Sequence, residues 1–216
     1  MREMEQKNPG NHIYNECSDG NIVEIDSLPN TMIKYYGSDS EIIVKGDINS
    51  YNVKHARISV GHNSKIIIGE NFRVRFEIQI DARADNTSIC FGKNVNIGEI
   101  NILGGDEPNL SLSIGDDFLN SLGCYIRLAD GHTIIDMRTN EVINIPKSGI
   151  TIGDHVWVGY DVIILKDSSI PSNSVVGAGS LIANHFYEEN SIIAGVPARI
   201  IRNEISWNSS PIHKFK

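Results

Sequence analysis

The chain has 216 residues, a formal net charge of −8 and an ordinary share of aliphatic and aromatic residues. Its acidic balance argues against a nucleic-acid partner, which a basic face would bind, but a few cations could still hold an anionic small ligand. No apolar run is long enough to span a membrane, and the first residues lack the apolar stretch of a secretory signal. Three cysteines without paired spacing fit reduced thiols. We therefore expect a cytoplasmic protein with no membrane span.

The first part of the chain shows short apolar segments without a strict repeat. Residues 1–20 have no clear pattern and are expected to form an irregular segment. From Asn21 to about Ser59, "NIVEID", "MIKYY" and "EIIVKGDI" are typical of short strands. These segments predict irregular first coils or a cap.

The middle of the chain repeats an aliphatic or aromatic residue followed by glycine. The step occurs at Ile68, Phe91 and Ile114, in "KIIIGENFRV", "SICFGKNVNIG" and "LSIGDDFLN". Because these three positions are evenly spaced, we expect successive coils, each one enlarged by a small bulge or loop.

This regularity breaks between Ile126 and Ile150. A six-residue step across "IRLADGHTIIDMRTNEVINIPKSGI" falls on His132, Arg138 and Asn144. These side chains do not suit an apolar interior, because burying each one unpaired would cost roughly several kcal/mol. The pattern predicts an excursion loop over about 127–149, and long loops on a rigid scaffold often carry function.

A strict six-residue rhythm follows the break. It is carried by apolar residues that stand six apart, namely Ile152, Val158, Ile164, Ile170, Val176 and Ile182. The residues two positions before them are all small or β-branched: Ile150, Val156, Val162, Ser168, Ser174 and Ser180. This period matches neither a helix nor a half-buried strand. It predicts short strands joined by tight corners, stacked as parallel coils around an apolar interior.

The repeat, together with "HVWVG" and "AGVPARIIR", resembles the hexapeptide-repeat acyltransferases, whose fold is a left-handed parallel β-helix. The similarity covers about Ser59 to Trp207 and is strongest from Gly149 to Arg202. It implies an all-β chain with a β-helix over 21–202 and a C-terminal tail or short helix over 203–216. It also implies a homotrimer with active sites between subunits.

The set "DGH…HVWVG…AGVPAR" is most similar to capsule and O-antigen O-acetyltransferases. This resemblance implies acetyl transfer from acetyl-CoA to a sugar hydroxyl of a surface polysaccharide or its precursor. Two alternatives remain open: N-acetylation of an amino-sugar nucleotide, and a non-catalytic β-helix scaffold. A related fold hosts zinc-dependent carbonic anhydrases, but the histidines here lack a close matching pair, so we expect no metal.

Within the resembled family, a histidine at the position of His132 acts as general base on the acceptor hydroxyl, a task that suits imidazole. Asp130 or Asp136 is a candidate to orient that imidazole. Asn101, or else Asn96, is a candidate for stabilising the oxyanion. Two further candidates are Asp106, for the acceptor sugar or a turn cap, and Cys124, for an acyl-enzyme. Direct transfer is favoured over the acyl-enzyme.

The resemblance also implies a donor site for coenzyme A. Trp157 would lie beside donor and acceptor, or pack against a neighbouring subunit. The pantetheine groove would involve Tyr160, Ala178, Ala183 and Asn184. Arg199 and Arg202 would meet the nucleotide phosphates. Lys166 is either a further cation or a surface charge, and His155 is expected to be an inert residue at a solvent corner.

Overall fold

The buried positions follow the six-residue rhythm. In the computed structural model, which describes residues 9–214, the six rhythmic anchors from Ile152 to Ile182 are at most 1% exposed. The residues two positions before them are buried as well. In the earlier coils Ile68, Phe91 and Ile114 are equally buried. Each side chain points inward at its turn, and the stacked coils enclose one continuous apolar core.

The strands are short and follow one another along the coil. In chain order they are β1 (His12–Glu16), β2 (Ile22–Glu24), β3 (Thr31–Tyr35), β4 (Glu41–Lys45), β5 (Asn52–Val53), β6 (Ala56–Val60), β7 (Lys65–Ile68), β8 (Arg73–Ala82), β9 (Ser88–Phe91), β10 (Asn96–Leu103), β11 (Ser111–Ile114), β12 (Leu119–Asn120), β13 (Cys124–Arg127), β14 (Ile150–Ile152), β15 (Trp157–Val158), β16 (Ile163–Leu165), β17 (Ser169–Ile170), β18 (Val175–Val176), β19 (Leu181–Ile182), β20 (Ile192–Gly195) and β21 (Ala198–Arg202). Single 3-10 turns lie at Ile48–Ser50 and Ile212–Lys214.

Parallel pairing stacks these strands into three faces. Face 1 holds β1, β4, β7, β9, β11, β14 and β17, with β2 antiparallel at its end. Face 2 holds β5, the beginnings of β8 and β10, then β12, β15, β18 and β20. Face 3 holds β3, β6, the ends of β8 and β10, then β13, β16 and β19. The chain is a triangular parallel β-helix, as predicted.

The register explains why the rhythm is strict in only one part of the chain. In the late coils Trp157 pairs with Val175 and Ile163 pairs with Leu181, so each turn consists of three hexads. Ser88, by contrast, pairs with Lys65 on one side and with Ser111 on the other, which gives longer turns. The early coils therefore contain the extra residues that the sequence predicted.

The corners between faces use left-handed backbone. At the corner between face 1 and face 2, Asn71, Asn94 and Asp117 have φ angles of 57°, 58° and 55°. Asn and Asp tolerate this conformation better than other side chains with a Cβ. Asn71 Nδ2 donates to Asn94 Oδ1 at 3.0 Å, and Asn94 Nδ2 donates to Asp117 Oδ1 at 2.9 Å. This ladder ties one coil to the next.

The expectation of an irregular segment over 1–20 is wrong for its described second half, while residues 1–8 lie outside the described part of the chain. His12–Glu16 forms β1 and pairs in parallel with β4. Its inward positions are Ile13 and Asn15. Asn15 Nδ2 donates to the carbonyls of Val44 and Gly46, at 3.0 and 2.8 Å. A polar residue thus occupies an inward position with its hydrogen bonds satisfied, which hides the strand from an apolar pattern.

At the other end, the region expected to form a C-terminal tail or short helix begins where β21 ends. β21 folds back antiparallel onto β20, with Arg199 opposite Ala194. The tail then passes Asn190 and stacks Trp207 on His155, and its only regular structure within the described residues is the 3-10 turn Ile212–Lys214.

The corner ladder makes a direct stability prediction. Asn94→Ala should lower the free energy of unfolding by about 1–3 kcal/mol, because alanine is strained at positive φ and the ladder bonds are lost. Asn94→Gly should cost less, because glycine removes the bonds without the strain. Urea denaturation of both variants measures the difference. Equal losses for the two variants would contradict a strained corner.

Candidate active site

The excursion from the prism begins directly after β13. Leu128 and Ala129 are the last buried residues, and from Asp130 onward the chain lies outside the core. It forms an irregular hairpin in which Ile135 and Val142 make an antiparallel bridge and the Ile143 N–H donates to the Ile134 carbonyl at 3.0 Å. The excursion predicted over about 127–149 is therefore present, with a hairpin at its centre.

The return to the prism requires a glycine. Gly149 has a φ angle of 70°, and a Cβ built on it would lie 2.1 Å from Ser111 Oγ. A side chain at this corner would be both strained and in collision, so only glycine allows the returning chain to pass so close to the coil below.

One asparagine organises the base of the hairpin. Asn144 Nδ2 donates to the Asp130 carboxylate and to the His132 carbonyl, both at 2.8 Å. Its Oδ1 accepts the Ile134 N–H at 2.9 Å. Asn144 thus links the outgoing and the returning strands at three points. From the sequence, Asn144 was recognised only as a residue unsuited to the core. The one hint of its role was that it follows His132 and Arg138 in the same polar six-residue step.

The next coil holds both legs of the excursion through two consecutive residues. The Lys166 ammonium pairs with Asp130 Oδ2 on the outgoing leg. Asp167 Oδ1 accepts the N–H groups of Lys147 and Ser148 on the returning leg, both at 2.7 Å. We call this arrangement of Lys166 and Asp167 with their partners the brace. Sequence reasoning missed it, because nothing in the pattern links residues so far apart in the chain.

The brace changes the interpretation of Asp130 and Lys166. The Lys166 ammonium, helped by Asn144, holds the pKa of the Asp130 carboxyl below its usual range, against the opposing effect of burial. Asp130 is therefore ionised at neutral pH, and its carboxylate contacts Lys166 and Asn144 rather than the imidazole. Lys166, expected as a cation for the donor, is largely covered in this ion pair. Both side chains fix the position of the hairpin.

His132 stands at the start of this hairpin with its imidazole exposed. Within residues 9–214 the ring has no hydrogen-bond partner, while its backbone carbonyl is held by Asn144. It lines a cavity of about 30 Å³ together with Glu107, Thr133, Val142 and other residues of the hairpin base. An unengaged imidazole on a fixed backbone can accept a proton from a ligand. Glu107 is an acidic neighbour that the sequence analysis did not select.

The other acidic candidates do not reach the imidazole. Asp136 Oδ1 accepts the N–H groups of Arg138 and Thr139, so this carboxylate caps the hairpin turn. The Asp106 side chain is 94% exposed, and its nearest charge is an Arg83 guanidinium nitrogen at 3.9 Å. Asp106 lies beside Glu107 in the chain but does not line the cavity.

The two asparagines lie on different faces. Asn101 is half-buried on face 3, between Gln79 and Tyr125 of the adjacent coils. Asn96 is on face 2, where Leu119 separates it from Trp157. Its Oδ1 is buried without a hydrogen-bond partner among the described residues. Neither asparagine contacts His132 within this part of the chain.

Trp157 also lies on face 2, whereas His132 follows a strand of face 3. Its indole is 40% exposed and packs against Trp207 of the C-terminal tail, with ring centroids 6.1 Å apart. Trp207 in turn stacks on His155 at 4.1 Å. His155 lies at a corner, as expected, and its ring and its carbonyl both contact Trp207. Trp207 was not selected from the sequence.

The predicted donor residues border face 3 on two sides. Tyr160 and Ala178 are exposed at the corner between faces 2 and 3, where the Gly179 N–H donates to the Tyr160 carbonyl at 2.8 Å. Ala183 and Asn184 are exposed at the opposite edge of the face. Small side chains and accessible backbone at these edges suit an extended, peptide-like chain such as pantetheine.

The cations suited to nucleotide phosphates lie on β21. Arg199 and Arg202 are exposed, and within residues 9–214 neither pairs with a carboxylate. Guanidinium groups without a protein partner fit phosphate oxygens well. An open groove of about 590 Å³ lies between residues 188–190 and 203–206, but Glu188, Glu189 and Glu204 line it. Its negative charge would repel phosphates, so Arg199 and Arg202 are the better match.

Cys124 is buried at the start of β13, within the stack of face 3. Its side chain is 1% exposed, and its Sγ donates to the Gly159 carbonyl at 3.2 Å. Burial raises the pKa of the thiol, so the thiolate needed for covalent catalysis is disfavoured. This geometry supports direct transfer over an acyl-enzyme.

Two further properties hold for the described residues, 9–214. No group of three or more His, Cys, Asp or Glu side chains there is arranged to hold a metal ion. That same part of the chain has no helix with the length and apolar character needed to cross a membrane.

Comparisons with known proteins support one family. No family model matches the sequence. Galactoside O-acetyltransferase of Escherichia coli (strain K12) is 34% identical over 65% of this chain, which spans only 55% of that protein. The inferred lipopolysaccharide-biosynthesis O-acetyl transferase WbbJ of the same organism is 30% identical over 66% of this chain and 74% of its own length. The chain belongs to the hexapeptide-repeat O-acetyltransferases.

A solved structure agrees with the fold of this hexapeptide-repeat O-acetyltransferase. The polySia-specific acetyltransferase NeuO superimposes with a TM-score of 0.74 and 25% identity over 94% of this chain and 87% of that one. The predicted left-handed parallel β-helix is therefore confirmed. The relatives are named as acetyltransferases, which agrees with the expected family of acyltransferases.

The brace of this hexapeptide-repeat O-acetyltransferase can be tested directly. Lys166→Met keeps the length of the side chain but removes the charge that holds Asp130. We expect faster amide hydrogen exchange at Ile134 and Ile143, because the hairpin base loosens, and a rise in the pKa of Asp130. Exchange followed by mass spectrometry measures the first effect, and carboxyl NMR titration measures the second.

Lys93→Met is the matched control, since Lys93 pairs with Asp116 at a corner away from the hairpin. It should leave hairpin exchange unchanged. Hairpin exchange in Lys166→Met that equals the wild-type rate would contradict the role of the brace.

Proposed function

We propose that the protein transfers an acetyl group from acetyl-CoA to a hydroxyl of a sugar, in a capsule or other surface polysaccharide or in its precursor. The observation that carries this proposal is the exposed imidazole of His132. Asn144 fixes the His132 backbone at the base of the hairpin, outside the rigid prism. The names of the relatives, which refer to galactosides, lipopolysaccharide and polySia, support a sugar acceptor. In this proposal the reaction takes place in the cytoplasm, where acetyl-CoA would be available.

In this proposal acetyl-CoA supplies an activated acetyl thioester. His132 takes the proton from the acceptor hydroxyl as its oxygen attacks the thioester carbonyl, and then returns the proton to the departing sulfur. The products are an acetyl ester and the CoA thiol, and the imidazole ends neutral, as it began. Asn101 is our candidate donor to the negative charge that develops on the carbonyl oxygen. Glu107, which lines the cavity beside His132, and Asp106, its neighbour in the chain, are our candidates to contact the acceptor.

The active site, in this proposal, forms between subunits of a homotrimer. Within one chain His132 and Trp157 lie on different faces, so the imidazole of one copy would meet the indole of another. Exposed apolar surface supports the assembly: Met137 at the hairpin tip is 99% exposed, and Tyr125 and Ile163 on face 3 are also exposed. Neighbouring copies that cover these residues would remove exposed apolar area from water.

The donor site in this proposal runs along the corner of Tyr160 and Ala178 toward β21, where Arg199 and Arg202 bind the phosphates. Ala183 and Asn184 border the same face on its other side and provide further backbone and amide contacts. Lys166 remains in the brace and contributes to donor binding only through the position of the hairpin.

Replacement of His132 tests the proposed base. His132→Ala should lower kcat by about 10²–10⁴-fold, the usual contribution of a general base, while the Kd for CoA stays nearly unchanged. Steady-state acetyl transfer and calorimetric CoA titration measure the two quantities. The product should be an alkali-labile ester, which separates O-acetylation from the alternative of N-acetylation.

His55→Ala is the control, because His55 is a partly exposed histidine paired with Glu77 on the early coils. It should retain wild-type turnover.

Cys124→Ser should also stay active if transfer is direct. Wild-type kcat in His132→Ala would remove this residue from the mechanism.

Replacement of Arg199 tests the donor site. Arg199→Ala should raise the Kd for CoA by about tenfold, in line with the loss of a charge-assisted hydrogen bond of roughly 1.5 kcal/mol. Arg73→Ala, which removes an exposed arginine from face 2, is the control. Calorimetric titration compares them, and an unaltered Kd in Arg199→Ala would reassign that arginine to the surface.

A further inference from the structure

The C-terminal tail is fixed to the prism at Trp207. After β21 the Ile205 N–H donates to the Asn190 carbonyl at 2.9 Å, and the chain then reaches face 2. There the Trp207 Nε1–H donates to the His155 carbonyl at 2.8 Å. The two rings stack at 4.1 Å with an interplanar angle of 12°, and His155 Nε2 lies 3.2 Å from the Trp207 carbonyl. One residue of the prism thus holds both the ring and the backbone of Trp207.

His155 occupies a corner position that does not itself require a histidine. Its φ angle is 53°, and it stands in the corner column where Asn94, Asp117 and Asn173 serve other coils. Asn and Asp adopt this conformation with less strain. The imidazole at this one coil is therefore explained by its contact with Trp207 rather than by the turn.

Trp207 and Trp157 are the two tryptophans of the chain, and they contact each other. Their ring centroids are 6.1 Å apart at an interplanar angle of 43°. Trp157 lies on a two-residue strand, with its side chain on the outer surface of the prism. A tilted neighbour on one side limits the rotamers of such an indole and leaves its other side open to a ligand.

We propose that Trp207 is a positioning residue of the active site, which acts through Trp157 and is itself set by His155. This inference rests on the proposed function, in which Trp157 lies beside donor and acceptor. Trp207 holds the indole of Trp157 in the orientation that the ligands meet, so that binding does not have to order it. Without Trp207, ligand binding would have to order the Trp157 indole itself. Because that ordering costs conformational entropy, we expect kcat/KM to fall by about twofold to tenfold.

The experiment compares Trp207→Leu, Trp207→Phe, His155→Asn and Trp157→Phe in the full-length protein. Each kcat/KM is measured well below the melting temperature of that variant, together with its near-UV circular dichroism. His155→Asn keeps a residue suited to the corner but removes the ring that holds Trp207. Tyr187→Leu, which removes an exposed aromatic residue near the same end of the prism, is the matched control and should keep wild-type kcat/KM.

We expect Trp207→Leu and His155→Asn to lose kcat/KM to a similar extent, and Trp207→Phe to recover most of it, because phenylalanine can still stack between His155 and Trp157. The near-UV signal of the coupled indoles should disappear in both Trp207→Leu and Trp157→Phe. If the tail only stabilised the fold, the Trp207 and His155 substitutions would lower the melting temperature but would not produce this ranking of kcat/KM values.

Two outcomes overturn the inference in distinguishable ways. Loss of activity in Trp157→Phe, with full kcat/KM in Trp207→Leu and His155→Asn, removes Trp207 from the site and leaves the proposed function intact. Full kcat/KM in Trp157→Phe as well removes Trp157 from the site, and the proposed arrangement of donor and acceptor falls with it.

Discussion

The structure depends on the vertical register of its coils. Each short strand hydrogen-bonds in parallel to the same face of the coil below and above, so an inward position in one coil must be followed by an inward position in the next. A strand cannot gain a residue without turning apolar side chains outward. Extra residues can enter only at the corners, where Asn, Asp and Gly adopt left-handed backbone. This constraint decides where the fold can carry function.

The candidate active site is the largest of these corner insertions. Its hairpin lies outside the core, so its position relies on polar contacts rather than on packing. Asn144 joins the two strands at their base, and the brace of Lys166 and Asp167 ties them to the following coil. The side chains of Asp130, Asn144, Lys166 and Asp167 are engaged in this way, while the imidazole of His132 has no hydrogen-bond partner among the described residues. Such an arrangement fixes the backbone of a catalytic group and leaves its ring available for proton transfer.

Periodic features of the fold were predictable from the sequence, and pairwise contacts were not. The hexads from Ile152 to Ile182 identified the prism, and the polar step at His132 identified the insertion, because both follow from which side chains can be buried. β1 was missed because Asn15 satisfies its hydrogen bonds at an inward position. The pairs Lys166–Asp130 and Trp207–His155 join residues far apart in the chain that obey no repeat. Local pattern carries no signal for contacts of this kind.

The proposed reaction requires the prism to present the imidazole of His132 to an acetyl thioester. A crystal structure of the protein with CoA bound tests it most directly, through the distance between the CoA sulfur and the nearer ring nitrogen of His132. We expect the two atoms to lie about 3–4 Å apart or to be bridged by one water, with Trp157 of a neighbouring copy beside them. A CoA sulfur bound at a remote surface, with His132 facing open solvent in the assembled protein, would contradict it.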